Sequence, residues 1–255
     1  YLSEEWKNNC DEERLLGVSL TGYYDNDLIR QEDILKNLRK FSQEVNIEYA
    51  DRLGINRSTS ITTVKPHGNS SQLLDTASGM HPRFAQFYIR RVRISAKDPL
   101  FRMLKDDGVP YKPEVGQSEE TANTFVLEFP VKSPEGAIVK NDISALELLD
   151  EWKKLKIHFT EHNPSVTIYV GDDEWISVAN FLYENWNIVG GLSFLPREEH
   201  IYQLAPYEEI TAEEYEKLSR DFKGFDFGKL YSYEYEDHTE GAKEFACVGN
   251  TCEIK

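Results

Sequence analysis

Apolar and polar residues recur along the chain with two different periods, and these periods predict its helices and strands. Between Leu28 and Leu53 the apolar residues return at three- and four-residue steps, the period of one helix face. That face carries Ile34, Leu35, Leu38, Phe41 and Val45. The next segment, Asn56–Val64, is rich in Ser, Thr and Ile and is followed by Pro66 and Gly68. It predicts a strand that ends in a tight turn.

The rest of the chain alternates between short strand-like runs and longer amphipathic runs. The predicted strands are Phe87–Ile94, Thr124–Val131, Ser165–Val170 and Ile188–Leu195, the last of them buried. The predicted helices are two short ones beginning near Ser70 and Pro99, then Ile143–Ile157, Trp175–Trp186 with Val178 and Leu182 facing inward, and one that opens at a Thr211/Glu214 capping box. Strands that alternate with helices predict an α/β fold with parallel strands.

Charge and cysteine content narrow the function classes. The formal net charge is −16, so the mean field repels DNA, RNA and anionic lipid, and we expect neither a nucleic-acid partner nor a membrane partner. A local cluster of amides and cations could still bind a small phosphorylated ligand. With only three cysteines, the chain is no disulfide scaffold, so we expect a cytoplasmic location.

The two ends of the chain differ from its middle. Residues 1–230 are predicted to form the folded part, and the acidic residues 231–255, which lack a usable period, a flexible C-terminal tail. The first residue is Tyr1, and the polar stretch Tyr1–Arg14 offers no first strand. We therefore expect this chain to be part of something longer.

The first candidate site is the turn after the Asn56–Val64 strand. Its residues are Lys65, Pro66, His67, Gly68, Asn69, Ser70 and Ser71. A Gly-containing turn that leads into a helix exposes backbone N–H groups and the positive end of the helix dipole, and both suit a phosphate. An ordinary capped turn explains the same residues, and the order of Lys and Gly does not match a Walker loop.

The second candidate site is Cys247-Val-Gly-Asn-Thr-Cys252, close to the end of the chain. Two thiols joined by a Gly-Asn turn can close into a disulfide and could carry electrons between distant sites. An incidental pair or a partial metal site remains open, although two cysteines without His or Cys neighbours make an incomplete zinc site.

Several arginines and histidines could have either a structural or a functional role. Arg91 and Arg93 share one face of a predicted strand and Arg90 lies on the other, which favours salt bridges over a single anion site. His81 could shape a turn or touch a ligand. His158 and His162 have the spacing of a helical metal pair but lack a third ligand, so we predict no metal site.

Several of these segments together resemble adenosylcobalamin-dependent (class II) ribonucleotide reductases, and within them the monomeric type that reduces ribonucleoside triphosphates. The run Thr-Thr-Val-Lys-Pro-His-Gly-Asn is the most distinctive of them. The matching segments are Leu15–Gly22, Thr62–Asn69, Ser78–Ala85, Arg90–Arg93, Val126–Pro130, Leu195–Pro196, Gln203–Pro206 and Cys247–Lys255. They run in order from about residue 13 to the end.

The resemblance implies the C-terminal part of a ten-stranded α/β barrel. It implies that residues 65–71 hold the phosphates of a ribonucleoside di- or triphosphate. It also implies that Cys247 and Cys252 reduce an active-site disulfide and are re-reduced by a thioredoxin-like partner. The cofactor would be adenosylcobalamin, which generates the radical. The family usually has Ser at the position of His67.

Several catalytic residues of the family are missing from this sequence, and their absence predicts a partner chain. The radical-forming cysteine, the nearby catalytic Glu and the active-site cysteine pair of the family have no counterpart here, and Cys10 matches none of them. Half a barrel would leave strand edges and apolar faces exposed, so we predict an N-terminal chain of the same reductase as partner. The alternatives are a non-catalytic nucleotide-binding remnant or regulatory protein, and a stand-alone thiol oxidoreductase.

Overall fold

The chain divides into two structural units, each built from two separate stretches of sequence. The structure is a computed structural model that describes residues 1–197, 203–221 and 225–234. One unit comprises Tyr1–Arg83 with Glu135–Glu199, and the other Phe84–Pro134 with His200–Lys255. The predicted division into a folded part, residues 1–230, and a tail, residues 231–255, stays a prediction. Residues 235–255 lie outside the described ones.

The elements follow one another in an α/β order. The helices are α1 (Glu4–Glu13), α2 (Glu32–Leu53), α3 (Ser70–Leu73), α4 (Pro99–Asp106), α5 (Ala145–His158), α6 (Trp175–Glu184) and α7 (Ala212–Asp221). The strands are β1 (Val18–Ser19), β2 (Thr62–Thr63), β3 (Phe87–Ser95), β4 (Tyr111–Pro113), β5 (Thr124–Lys132), β6 (Thr167–Val170), β7 (Ser193–Pro196) and β8 (Tyr207–Glu209). No described helix is both long enough and apolar enough to cross a bilayer.

Parallel strand pairs organise the first unit, as predicted. β1 pairs with β2 and β6 pairs with β7, both in parallel. A single parallel bridge between Val64 and Pro164 links the two pairs. A parallel neighbour requires a crossover, and α2 and α6 lie in the connections between the paired strands. The predicted α/β architecture is therefore confirmed in this unit.

The core of the first unit is centred on α5 and the strands beneath it. Trp152 is fully buried, and its indole N–H donates to the carbonyl of Pro164 at 3.1 Å. Leu149, Leu155 and Ile168 are also fully buried in the same apolar cluster. The helix begins at a capping box in which Ser144 and Glu147 satisfy each other's backbone N–H groups.

The second unit is an antiparallel sheet, and here the prediction of parallel strands was wrong. Its strand order is β4-β5-β3-β8, and every pair in it is antiparallel. Between β3 and β5 the chain turns back through α4 and β4, which packs Phe101 of α4 against Phe125 of β5 with ring centroids 4.5 Å apart. Antiparallel neighbours need no crossover helix. The apolar period identified the strands but not their direction.

Two predicted strands are shorter than expected. The segment Asn56–Val64 contains only β2, because residues before it bond to other parts of the unit: Thr59 donates its N–H to the carbonyl of Glu13. The segment Ile188–Leu195 contains only the start of β7, and β7 is half-buried to exposed rather than buried. The second unit does confirm the Thr211/Glu214 capping box, where the Glu214 carboxylate accepts the N–H of Thr211 at 2.8 Å.

The apolar face predicted for α2 lies largely at the surface of the described chain. Leu35 is fully buried, but Leu38, Phe41 and Val45 are 39%, 65% and 37% exposed. We refer to these three side chains as the α2 face. A contiguous exposed apolar face of this kind is typical of an interaction surface.

We expect the stability of the first unit to depend on pH through the carboxyl group of Glu151. Burial alone would raise the pKa of this carboxyl, but the hydroxyl of Tyr23, the ammonium of Lys154 and the charge of Arg30 together lower the pKa below its usual 4.5. A carboxyl with a lowered folded pKa stabilises the fold above its unfolded pKa, and this stabilisation is lost as the pH falls through the folded value. We expect the urea midpoint to fall as the pH drops below about 5.

The measurement is urea unfolding at a series of pH values, with tryptophan fluorescence as the signal. All four tryptophans lie in the first unit, so the signal reports on this unit. Glu151→Gln should show a shallower decline between pH 5 and pH 3 than the unchanged chain. If the urea midpoints of the two proteins decline equally with pH, the pH dependence does not arise from Glu151.

Candidate functional site

The turn of residues 65–71 begins where β2 ends and leads into α3. β2 pairs with β1 so that Ser19 lies beside Thr63. The backbone N–H of Lys65 then donates to the hydroxyl of Ser19 at 2.9 Å. The parallel strand pair therefore fixes the point at which the turn leaves the sheet.

His67 has an unusual backbone conformation and a side chain bonded at both ring nitrogens. Its φ is +53°, in the left-handed region, which His adopts more readily than most residues. Nε2 lies 2.7 Å from the Ser19 hydroxyl and Nδ1 lies 2.8 Å from the Ser70 hydroxyl. Burial, and then the charge of Lys65, lower the pKa of His67, so the ring is neutral at neutral pH.

The turn presents polar groups outward. Lys65, Pro66, Gly68, Asn69 and Ser70 are exposed, and His67 is half-buried. Within the described residues Lys65 has no carboxylate partner, whereas most other cations of this acidic chain form ion pairs. The turn thus offers a cation without a counter-charge next to exposed polar groups, an arrangement that suits an anion.

Two features differ from the expected helix-dipole site. α3 is a single turn of four residues, so its macrodipole is small. Ser71 is fully buried, and its hydroxyl lies 2.9 Å from that of Ser78. The exposed hydroxyl of Ser70 and the ammonium of Lys65 therefore offer more to an anion than the axis of α3 does.

The segment that follows α3, here called the bracing segment (residues 75–83), packs against the turn. Gly79 has a φ of +57°, and a Cβ at this position would lie 2.3 Å from the carbonyl oxygen of Lys65. The N–H of Gly79 donates to the Thr21 hydroxyl at 2.9 Å, and its carbonyl accepts the N–H of Tyr23 at 3.1 Å. Only glycine allows the two backbone segments to approach this closely.

A buried arginine holds the same bracing segment in place. Arg83 is 6% exposed and donates to both carboxylate oxygens of Asp25, at 3.0 and 3.2 Å. It also donates to the carboxylate and the carbonyl of Asp75. The second oxygen of Asp25 further accepts the N–H of Ala77 at 2.6 Å. These bonds connect the segment before α2 with the segment after α3.

The sequence patterns predict no role for Ser19, Asp25, Gly79 or Arg83. Three of them lie in segments that resemble the reductase family, so a signal was present for Ser19, Gly79 and Arg83. No local pattern indicates that Asp25 contacts Arg83, because the two are 58 residues apart.

The second predicted site lies outside the described residues. Cys247 and Cys252 both fall in the stretch 235–255, of which the structure describes nothing. Cys10, the third cysteine, lies in α1 and is a half-buried free thiol.

Two arginines of β3, Arg91 and Arg93, form structural ion pairs, as the salt-bridge interpretation predicted. Arg91 is buried and contacts Glu128 at 2.7 Å and Glu208 at 2.5 Å. Arg93 contacts Glu114 at 2.5 Å. Burial would raise the pKa of Glu128, but the hydrogen bonds from Arg91 and Lys112 lower it. Both guanidinium groups are therefore paired with carboxylates of the same unit.

Three further histidines of the described residues, His81, His158 and His162, also make structural contacts. His81 Nδ1 donates to the Ser78 carbonyl at 2.9 Å and Nε2 accepts the N–H of Thr167 at 2.9 Å, which makes His81 a turn residue. His158 contacts Glu32 at 3.2 Å, and His162 donates to the carbonyl of Leu16. Among the described residues no three His, Cys, Asp or Glu side chains are arranged to hold a metal ion.

Known proteins resemble this chain over most of its length. No protein-family model matches it. It is 31% identical over 239 residues to the adenosylcobalamin-dependent ribonucleoside-triphosphate reductase of Lactobacillus delbrueckii subsp. bulgaricus, a match that covers 91% of this chain and 31% of the relative. It is 29% identical over 253 residues to a probable adenosylcobalamin-dependent ribonucleoside-triphosphate reductase of Dictyostelium discoideum, covering 94% of this chain and 32% of that relative. The chain thus spans about a third of the length of the curated relatives it matches.

A solved structure has the same fold. The crystal structure of a B12-dependent (class II) ribonucleotide reductase matches with a TM-score of 0.75 and 24% identity, over 92% of this chain and 37% of the solved one. The sequence motifs and the fold therefore agree. Over most of its length, the chain is homologous to a segment of the adenosylcobalamin-dependent (class II) ribonucleotide reductases.

Proposed function

We propose that this chain is the C-terminal part of a ribonucleotide reductase and holds the phosphates of the substrate in the turn of residues 65–71. Joined to an N-terminal chain, it would take part in removing the 2′-hydroxyl of a ribonucleotide by radical chemistry. The observation that carries the proposal is the exposed turn, with Lys65 unpaired by any described carboxylate and the Ser70 hydroxyl at the surface. The relatives are named as triphosphate reductases, which favours a ribonucleoside triphosphate over a diphosphate.

The proposed role of the turn follows from charge and hydrogen bonding. Phosphate oxygens accept strong hydrogen bonds from ammonium, hydroxyl and backbone N–H groups. Lys65 supplies a positive charge that no described carboxylate neutralises. Pro66, Gly68 and Asn69 form the exposed bend that brings the backbone close to the ligand, while Ser71 anchors the bend to Ser78.

The cofactor of this proposed reductase is adenosylcobalamin, as in the names of its relatives. We assign no described residue to the contact with this cofactor.

The proposed partner chain would pack on the apolar surface of the first unit. The α2 face exposes Leu38, Phe41 and Val45, and α6 exposes Ile176 and Tyr183 at 86% and 84%. Apolar faces of this extent are unfavourable in water, at about 25 cal/mol for each Å² left uncovered. An N-terminal chain that supplies the remaining two thirds of the reductase would cover them.

The proposed role of Cys247 and Cys252 is electron delivery. Oxidation of the two thiols to one disulfide releases two electrons and two protons, which reduce a disulfide of the N-terminal chain to two thiols. A thioredoxin-like partner would then reduce the Cys247–Cys252 disulfide by the same exchange.

The proposal is tested by purifying the chain from its own source, recording native mass spectra and assaying ribonucleotide reduction with adenosylcobalamin and a thioredoxin-type reductant. We expect a stable complex with a second chain and turnover that is lost in Cys247→Ser and Cys252→Ser. Lys65→Ala should raise KM for the triphosphate about tenfold, because one charged contact to phosphate is lost.

The matched control is Cys10→Ser, which changes the α1 thiol and should leave turnover unchanged. A folded chain with neither a partner nor turnover would contradict the proposal and leave a nucleotide-binding remnant as the better account. Disulfide reduction by the chain alone would favour a thiol oxidoreductase.

A further inference from the structure

Three side chains from two segments form a hydrogen-bonded relay through the turn. The Ser19 hydroxyl accepts the N–H of Lys65 at 2.9 Å and lies 2.7 Å from His67 Nε2. His67 Nδ1 lies 2.8 Å from the hydroxyl of Ser70. Ser19 is half-buried and Ser70 is exposed, so the relay runs from the strand pair outward to the surface.

The tautomer of His67 decides what Ser70 offers to a ligand. If Nε2 carries the proton, Nδ1 accepts the hydroxyl hydrogen of Ser70, and Ser70 presents only lone pairs outward. If Nδ1 carries the proton, it donates to the oxygen of Ser70, whose hydroxyl hydrogen is then free to be donated outward. The two tautomers thus make the same surface hydroxyl an acceptor or a donor.

The contacts of Ser19 favour the second arrangement. Its oxygen already accepts the Lys65 N–H, and its own hydrogen finds an acceptor in an unprotonated Nε2. With the proton on Nε2, the Ser19 hydrogen would have no acceptor among the bonds seen in the described residues. A neutral ring, which the lowered pKa of His67 supports, provides one donor and one acceptor as the relay requires.

We propose that His67 is a positioning residue that holds the Ser70 hydroxyl as an outward hydrogen-bond donor to a phosphate oxygen. This inference rests on the proposed function of the turn as a phosphate site. Beyond that function, the donor is the Ser70 hydroxyl and the residue that orients it is His67.

The backbone of His67 fits the same role. Its left-handed φ of +53° reverses the chain so that its carbonyl accepts the N–H of Ser71 at 3.1 Å while the ring reaches back to Ser19. The turn is therefore tied at both ends before a ligand arrives. Ordering a site in advance lowers the entropy lost on binding.

The test is titration of the full chain with inorganic tripolyphosphate by isothermal calorimetry. His67→Gly removes the ring without adding strain, because glycine accepts a left-handed φ. We expect His67→Gly and Ser70→Ala each to weaken binding about tenfold, and the double variant to weaken it no more than either alone, because His67 acts through Ser70. His67→Asn should recover part of the loss, since Asn tolerates the left-handed region and its amide can donate to Ser70.

A second readout is the tautomer itself. We expect nitrogen NMR of the imidazole to show an unprotonated Nε2 and a protonated Nδ1 at neutral pH, which a merely structural histidine has no need to satisfy. The control Ser118→Ala changes an exposed hydroxyl of the other unit and should leave tripolyphosphate binding unchanged.

The outcomes separate the relay from the phosphate site. If the unchanged chain does not bind tripolyphosphate, or Lys65→Ala does not weaken binding, the phosphate site is wrong and the relay fails with it. If binding depends on Lys65 but the His67 and Ser70 losses multiply, or if Nε2 is protonated, the relay alone is overturned.

Discussion

Replacing Gly79 by alanine should destabilise the first unit by about 3 kcal/mol. The left-handed φ accounts for about 1–2 kcal/mol of this. The remainder arises because the new Cβ would lie 2.3 Å from the carbonyl oxygen of Lys65, a backbone atom that can move only with the turn. With a urea m value of about 2 kcal/mol/M, the midpoint should fall by about 1.5 M. Tryptophan fluorescence, which reports on this unit, is the measurement.

Gly136→Ala is the matched control for this prediction. Gly136 lies in the same unit with a φ of +76°, but a Cβ there would meet nothing within 4 Å. It should therefore show the conformational cost alone, about 1–2 kcal/mol. Equal effects of the two substitutions would mean that the close approach at Lys65 does not constrain the turn.

Gly79→Ala should also affect the proposed phosphate site in the turn. The substitution displaces the carbonyl of Lys65 and with it the start of the turn, so tripolyphosphate affinity should fall at urea concentrations where the chain is still folded. Gly136→Ala should leave that affinity unchanged.

Replacing Arg83 by methionine should cost about 3–5 kcal/mol, the range for breaking a buried ion pair. Methionine retains the apolar stem but leaves Asp25 without its two hydrogen bonds from the guanidinium. The Asp25 side chain is 23% exposed, so water compensates only in part. Arg83→Lys should recover some of the loss, because an ammonium keeps the charge but cannot bond both carboxylate oxygens in the same fork. Urea unfolding followed by tryptophan fluorescence measures both variants.

Arg57→Met is the control that separates burial from geometry. Arg57 also bonds both oxygens of a carboxylate, that of Asp51, but both side chains are 57% exposed. Solvent screens such a pair, so we expect no measurable change in the urea midpoint. A loss as large as that of Arg83→Met would contradict the claim that burial makes the Asp25–Arg83 pair important.

Local patterns in the sequence were sufficient to predict most helices and the position of the turn after β2. The helical period of residues 28–53 and the capping residues Thr211 and Glu214 both correspond to observed helices. Such signals depend on residues within one or two turns of each other, so they survive without knowledge of the fold. The reductase resemblance was equally readable, because its motifs are contiguous, and the relatives and the solved structure confirm it.

Other features depended on residues that are distant in sequence. Strand direction is one: β3 and β5 have the same apolar period whether they pair in parallel or, as they do, antiparallel. The α2 face is another, since its period identified a helix face but not whether this chain covers it.

The sequence by itself determined most of the longer elements, the polar turn and the family resemblance. Only the tertiary structure decided that Ser19, Asp25 and Arg83 support this turn and that Gly79 allows the backbone to approach Lys65. The physical reason is that a hydrogen bond or a close backbone contact between distant positions depends on how whole elements pack. Local periodicity carries no information about that packing.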